Sequence, residues 1–449
     1  MNKVLGYLLL GTILIAACEP SKNNSSNTKQ LSDKELLDTV QKQTFQYFWD
    51  GAEPNSGLAR ERIHVDGIYP EKDENVITIG GSGFGLMSIL VAMHNKYITP
   101  EDGLQHLQKA LGFLGRAERF QGAWSHWYFG DTGKVKAFSA NDDGGDIVET
   151  AFMAEALICI REYYKNGSEA EKQVAHTADS LWRGINWDFY RNGKDVLYWH
   201  WSKNNGWGMN HKIQGFDECL ITYIMAAASP THPIPAKTYH KGWARDGAIR
   251  TSATKYGIPT VLKHNAKEGE VGPLFWSHYS FLGLNPKGLS DAYANYEDVV
   301  TNHTKINIAY AEENPQKYKG YGADKGWGWT ASYSTTGYMA HHPDNDPAGV
   351  ISPTAAISSI AYTPTESMSF IHYLRDNLGD KVWGKYGFYD AYSETKEWYP
   401  QRYLAIDQGP IVVMIQNYKD SFIWDLFMNA TDVQQGLRKL GFTSTYLKK

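Results

Sequence analysis

From Leu31 onward the apolar residues recur at the three-to-four spacing of an α-helix, segment after segment, and that pattern excludes most folds. Leu36, Leu37, Val40 and Thr44 lead into Phe45-Gln46-Tyr47-Phe48-Trp49, with Asp33 near the start as a cap. Further helices are predicted at about 83–96, 101–117, 146–164, 168–188, 213–228, 236–250, 289–298, 355–376, 407–418 and 420–428. Long alternating runs of β-branched residues are scarce, which disfavours a sheet-based fold. No repeat of fixed period emerges, as a solenoid would require. What remains is an all-α toroid of paired helices, with an inner ring carrying the core and the loops at one end forming a cleft. No Pro/Ser-rich linker interrupts residues 31–449, so they read as one domain.

The predicted loops, 51–78, 118–145, 196–212, 251–287, 316–353 and 384–406, are long and dense in Gly, Trp, Tyr, Asn and His. Loops of that length are functional or disordered, and these are too aromatic for disorder. The chain holds 15 Trp, 29 Tyr and 17 Phe, so its surplus lies in flat rings with a polar handle, which suit a sugar-binding groove. A formal charge of −5 with no Lys/Arg block excludes a nucleic-acid binder, which needs a basic stripe.

The first residues read as an address. Lys3 precedes an apolar run, Val4 to Ala17, too short to span a bilayer comfortably. It ends in Ile15-Ala16-Ala17-Cys18, which resembles a bacterial lipoprotein cleavage site. Residues 1–17 are therefore expected to be a signal peptide, Cys18 the lipidated residue, and 18–30 a polar tether. The expected location is periplasmic or cell-surface, lipid-anchored to a bacterial membrane. Cys159 and Cys219 lie in apolar helical stretches and read as buried free thiols.

Some familiar motifs fail. Gly80-Gly81-Ser82-Gly83-Phe84-Gly85 lacks the spacing of a dinucleotide loop and reads as a close-packed helix start. His341-His342-Pro343-Asp344-Asn345-Asp346 lacks the Gly and distant Glu of a calcium loop and reads as a polar loop.

Three acidic constellations remain. Asp142, Asp146 and Glu149, within Asn141-Asp142-Asp143-Gly144-Gly145-Asp146-Ile147-Val148-Glu149, share one face if a helix runs through all three. Stacked like charges gain nothing structurally, although capping by Asp142 or Asp143 is a rival account for a single acid. Glu218 follows a loop carrying Trp199, Trp201 and Trp207 and opens an apolar helix, where desolvation favours the protonated form. A buried Glu satisfied by backbone amides is its structural alternative. Asp407 stands at a loop-to-helix junction, where N-capping competes. Acids converging on an aromatic cleft point to glycoside hydrolysis, with one carboxylic acid as proton donor and one carboxylate as base or nucleophile.

The segments Gly272-Pro273-Leu274-Phe275-Trp276-Ser277-His278-Tyr279-Ser280-Phe281-Leu282-Gly283, Asn302-His303-Thr304, Trp327-Gly328-Trp329-Thr330-Ala331-Ser332, Pro353-Thr354-Ala355-Ala356 and Tyr403-Leu404-Ala405-Ile406-Asp407-Gln408-Gly409-Pro410 resemble the glucoamylase-like domain of bacterial glycoside hydrolase family 144. With the acidic motifs, the resemblance covers about residues 31–440. It implies an (α/α)6 barrel and an inverting hydrolase of β-1,2-glucan that releases sophorose or short sophoro-oligosaccharides. It also implies that Asp142, Asp146, Glu149, Glu218 and Asp407 are the essential acids. Trp124, Trp127, Trp207, Trp327, Trp329, Tyr333 and His278 are expected to bind substrate, with no metal or organic cofactor required. Tyr333-Ser334 depart from the Asp-Gly often found after Thr-Ala-Ser in such domains, which bears on the length of glucan bound. The alternatives are hydrolysis of another β-glucan linkage, a polysaccharide lyase, and a non-catalytic glycan-binding lipoprotein. A lyase must neutralise a substrate carboxylate, which clustered acids repel. The sequence leaves the oligomeric state and endo or exo mode open.

Overall fold

The computed structural model describes residues 31–447. Thirteen helices appear among them: α1 (Asp33–Trp49), α2 (Ile79–His94), α3 (Pro100–Arg116), α4 (Ile147–Tyr164), α5 (Glu169–Arg183), α6 (Leu220–Ala228), the single turn α7 (Ala236–Thr238), α8 (Tyr296–Glu313), α9 (Pro353–Ile357), α10 (Pro364–Tyr373), α11 (Ala405–Asp420), α12 (Phe422–Met428) and α13 (Thr431–Lys439). The expected signal peptide, Cys18 and tether lie outside the described residues.

The helices divide by how much of their surface is apolar. In α2 every residue from Ile79 to Met93 is buried, and α4, α6 and α11 are buried almost all round. Helices apolar on every face belong to an interior. In α3 and α5 the buried residues follow a stripe, Leu107, Ala110, Leu111 and Leu114 or Val174, Ala178, Leu181 and Trp182. Such helices cover a core with one face and meet water with the other. Capping boxes at Ser32/Glu35 and Ser168/Glu171 fix where α1 and α5 begin.

Inner and outer segments alternate along the chain. α2 packs on α4, α4 on α6, α6 on the 3-10 turns at 279–281, α9 on α11, and α11 back on α2. The 274–281 stretch joins α9 through Tyr362 Oη donating to Ser277 O (2.8 Å) and His278 Nε2 bonding Ser359 Oγ (2.9 Å). This closes a ring of six inner segments, with α1, α3, α5, Ala236–Trp243, α8 and α10 outside: an (α/α)6 barrel in which 3-10 turns take one inner place. The glycines of α2 permit the closest approach. A Cβ on Gly83 would sit 2.6 Å from Phe152 O, and one on Gly80 2.6 Å from Glu149 Oε2.

Several elements differ from expectation. The helix predicted at 289–298 lies at Tyr296–Glu313, and the one at 355–376 is divided, with Pro364 opening α10. The one at 213–228 begins only at Leu220, because 213–219 is a turn carrying Asp217 and Glu218. Cys159 and Cys219 are buried free thiols, as expected. Small antiparallel ladders tie the loops at the cleft end: Arg62–His64 to Arg402–Leu404, Val76–Thr78 to Trp127–Phe129, and Gly145–Asp146 to His200–Trp201. No described helix is long and apolar enough to cross a membrane.

Candidate active site

The inner segments all begin at one end of the barrel, and the acids gather there. Asp146 is the N-cap of α4. Its Oδ1 accepts from Val148 N and Glu149 N (both 2.9 Å), and Oδ2 accepts from Trp199 Nε1 (3.0 Å). The expectation of one helix face through Asp142, Asp146 and Glu149 is therefore corrected. Asp142 precedes the helix, Asp146 caps it, and Glu149 lies in its first turn. They converge all the same, because His126 stands among them. Its Nδ1 is 3.2 Å from Asp146 Oδ2 and 3.6 Å from Asp142 Oδ2, and its Nε2 is 3.7 Å from Glu149 Oε1. His200, paired across the ladder to Asp146, approaches Asp142 Oδ1 at 3.5 Å.

Glu149 Oε2 accepts the amide of Gly80 (2.7 Å), which joins α4 to the start of α2. Burial pushes Glu149 up to about 7, although His126 pulls the other way. Burial alone would keep His126 neutral, but Glu149, Asp142 and Asp146 outweigh it and hold the ring well above its usual range. Beside them, Glu61 accepts from Trp127 Nε1 (3.2 Å) and lies 3.7 Å from Arg62.

Glu218 stands just ahead of α6 and is partly exposed. No other residue's donor among the described residues reaches its carboxyl. Burial, then the neighbouring charge of Asp217, push it well above the usual carboxylate range, with Glu149 and Asp146 adding to the effect. Asp217 is itself pushed up to about 7 by burial, while its Oδ1 accepts from Cys219 N (2.9 Å).

Asp407, in the first turn of α11, is buried, and its Oδ2 has no hydrogen-bond partner. It meets Asp390, whose Oδ2 accepts from Tyr333 N (2.7 Å). Burial pushes Asp390 up to about 6 and Asp407 much further, so the pair shares a proton near neutrality. Tyr279 lies within the electrostatic reach of Asp407, Tyr338, Glu218 and Glu149, which places the acids around one centre.

The expected sugar platforms separate into three groups. Trp127 is partly exposed beside Glu61, and Tyr333 bonds His64 Nε2 through its hydroxyl (2.6 Å) and holds Asp390. Trp124, Trp327 and Trp329 are instead fully buried: Trp124 donates to Leu114 O, Trp327 packs near Phe370, and Trp329 lies between Tyr310 and Tyr321. His278 is buried and bonded to Ser359, and burial lowers it to about 3. These four are core residues, because the inner ring needs large rings to fill it. Trp207, partly exposed, packs on Phe189, Tyr190 and Tyr198.

The sequence reading missed His126, Glu61 and Asp390. Each lies in a long aromatic loop, and Trp127, Arg62 and Tyr389 beside them were the available signals. His126, Asp142 and Asp146 each place one ligand atom within 4.8 Å of the others, as do Asp217, Glu218 and Cys219. In the first group the imidazole already supplies the balancing charge.

The Glycoamylase family model matches residues 210–431, which include Glu218, Asp390 and Asp407. The exo β-1,2-glucooligosaccharide sophorohydrolase (non-reducing end) of Parabacteroides distasonis is 40% identical over 443 residues, 94% of this chain. The chain spans 60% of that relative's length. The solved endo-β-1,2-glucanase of Chitinophaga pinensis, in complex with sophorotriose and glucose, is 56% identical with a TM-score of 0.91. That match covers 93% of this chain and 100% of the other. A glucoamylase from Saccharomycopsis fibuligera, 10% identical with a TM-score of 0.53 over 88% of this chain and 98% of its own, shares the fold alone.

Proposed function

The chain belongs to glycoside hydrolase family 144, and we propose that it hydrolyses β-1,2-glucan with inversion, releasing sophorose or short sophoro-oligosaccharides. The observation that carries this reading is Glu218, a partly exposed carboxyl just ahead of α6 that no other described residue's donor reaches, whose charged form burial and then the Asp217 charge disfavour, and which faces further acids across the same centre. A protonated carboxyl is what the leaving glycosidic oxygen requires.

Glu218 donates that proton. The Asp390–Asp407 pair takes one from the attacking water, because its further protonation, at about 6, is poised near neutral pH. Inversion needs the water on the face of the sugar opposite the acid. Identity of 56% over the full length of an endo-acting relative, against 40% over part of an exo-acting one, favours internal cleavage. The lipoprotein-like start supports placing this activity on a bacterial membrane surface facing away from the cytoplasm.

The test incubates the purified protein with β-1,2-, β-1,3-, β-1,4- and α-1,4-glucans and follows product length and anomer by NMR. Cleavage confined to the β-1,2-linkage, with the α-anomer appearing first and a spread of lengths, is the expected result. A β-anomer first would overturn inversion, and an unsaturated, ultraviolet-absorbing product would reveal a lyase. If Asp142→Asn abolishes turnover and Asp407→Asn does not, the base lies in the His126 cluster instead.

A further inference from the structure

His126 stands among three acids and against two aromatic rings at the mouth of the barrel. Carboxylates lie near both ring nitrogens, Asp146 and Asp142 at 3.2 and 3.6 Å from Nδ1 and Glu149 at 3.7 Å from Nε2, while Nδ1 makes no hydrogen bond among the described residues, so the contact is one of charge. The Phe138 ring covers one face at 4.3 Å between centroids and 17° from parallel, and the Trp127 ring meets the imidazole edge-on at 5.5 Å. The backbone is fixed too, since Ile79 N donates to His126 O (3.1 Å) at the start of α2.

The other charges facing this ring are known from each neighbouring element. Glu61 approaches from the 58–64 segment beside Arg62, His200 lies near Asp142, and Lys136 lies over the Trp127 ring. Acids therefore outnumber cations around His126. A neutral ring would leave three closely packed carboxylates without a central counter-charge, and a low local dielectric makes that repulsion severe.

We propose that His126 is the positioning residue of this site, a partly exposed cation that fixes Asp142, Asp146 and Glu149 around one ring and balances their charge during hydrolysis. This rests on the glucan-hydrolase reading above. The direction of His126, well above its usual range, agrees with the geometry. Glu149 shows the consequence: His126 is the main influence holding it down against burial, so loss of the ring sends it above about 7. A protonated Glu149 no longer receives the Gly80 amide and the imidazole as an anion, and the cluster loosens.

The experiment compares full-length wild type, His126→Gln and His126→Lys. For His126→Gln, the acidic limb of kcat/KM on β-1,2-glucan, which Glu149 at about 7 sets ahead of the Asp390–Asp407 pair at about 6, should move up by at least ~1 pH unit. At pH 6, kcat should fall by ~10-fold or more, with KM changing less than about threefold. His126→Lys should restore the limb, because it returns the charge. A uniform loss at every pH, with the limb unmoved, makes His126 structural and overturns the proposal. A second measurement needs neither substrate nor variant: nitrogen-15 NMR of the wild-type histidine rings should show His126 doubly protonated at pH 8. A neutral ring there overturns the proposal even if the variants fail to fold. Wild type that leaves β-1,2-glucan intact refutes the hydrolase reading, while the NMR result still decides the state of His126.

Discussion

Glu218→Gln separates chemistry from folding, because it keeps the shape of the side chain and removes only the transferable proton. Glu218 lies just ahead of α6, and no other residue's donor among the described residues holds its carboxyl, so the amide disrupts no bonded network. A positioned acid contributes roughly 10²–10⁴-fold, or about 2.7–5.5 kcal/mol at the barrier, and kcat should fall by that factor. The alkaline limb of the pH–rate profile should flatten, since that limb reports loss of the Glu218 proton. Stability should move the other way. Burial raises the folded carboxyl well above its reference value of 4.5, so the folded protein binds this proton more tightly than the unfolded chain. Its stabilising contribution is complete below that reference value and is lost as pH rises toward the folded value. Glutamine has no such loss. Relative to wild type, the variant should therefore gain stability with rising pH, by at most ~1.4 kcal/mol per unit. The assays are product release from β-1,2-glucan between pH 5 and 9 and thermal melts at pH 5 and 8. Turnover within tenfold of wild type, or a lower Tm at pH 8, would refute the assignment.

Asp407→Asn should lower kcat by ~10²-fold or more in the same product assay, with KM little changed, because it removes the carboxyl that shares its proton with Asp390. Normal turnover would remove the pair from the mechanism. Gly83→Ala forces a Cβ to within 2.6 Å of Phe152 O and 2.9 Å of Met153 Cα, backbone atoms with nowhere to go. Overpacking of ~1–3 kcal/mol against a helix-propensity gain of ~1 leaves a net loss of up to ~2 kcal/mol in urea melts; a midpoint above wild type would mean that α2 and α4 are not in such close contact. Cys18→Ser should move the protein from the membrane fraction to the soluble one with activity intact, and retention in the membrane would refute a lipid anchor.

Helix periodicity carried the architecture because burial all round and burial on one stripe leave different traces. The long run of α2, apolar or glycine apart from Ser82 and Ser88 up to Met93, and the stripe of α3 are both legible in the chain. The helix Tyr296–Glu313 was harder to place, since its buried face includes the polar residues His303, Thr304 and Asn307, which bond to backbone carbonyls. The acids on helix starts were legible for a related reason: Asp146, Glu149 and Asp407 sit where apolar runs begin. Asp390, Glu61 and His126 were not, because their partners come from across the fold. Asp390 meets Tyr333, Glu61 meets Trp127, and His126 meets three acids only once loop 118–145 folds over α2. The same gap explains the aromatic misreadings. Trp327 and Trp329 have the composition of a sugar platform, and only three-dimensional packing shows that both are in the core.

The barrel also explains why one end tolerates so many acids and gives them different states. Each inner helix brings its N-terminus to the cleft, and the partial positive charge there favours anions, by up to ~2 kcal/mol in partly buried sites. Asp146 uses it fully, as the cap of α4 with three donors on its carboxylate. At Glu218 and Asp407 the balance reverses. Glu218 has no cation beside it among the described residues and Asp407 faces another acid, so desolvation exceeds what a helix start returns, and both are pushed well above the usual carboxylate range. Around His126 the counter-charge is built in. One architectural element, repeated around the ring, thus yields charged and protonated carboxyls side by side, depending on whether a cation stands next to the helix start. That division is the acid–base asymmetry an inverting hydrolase needs.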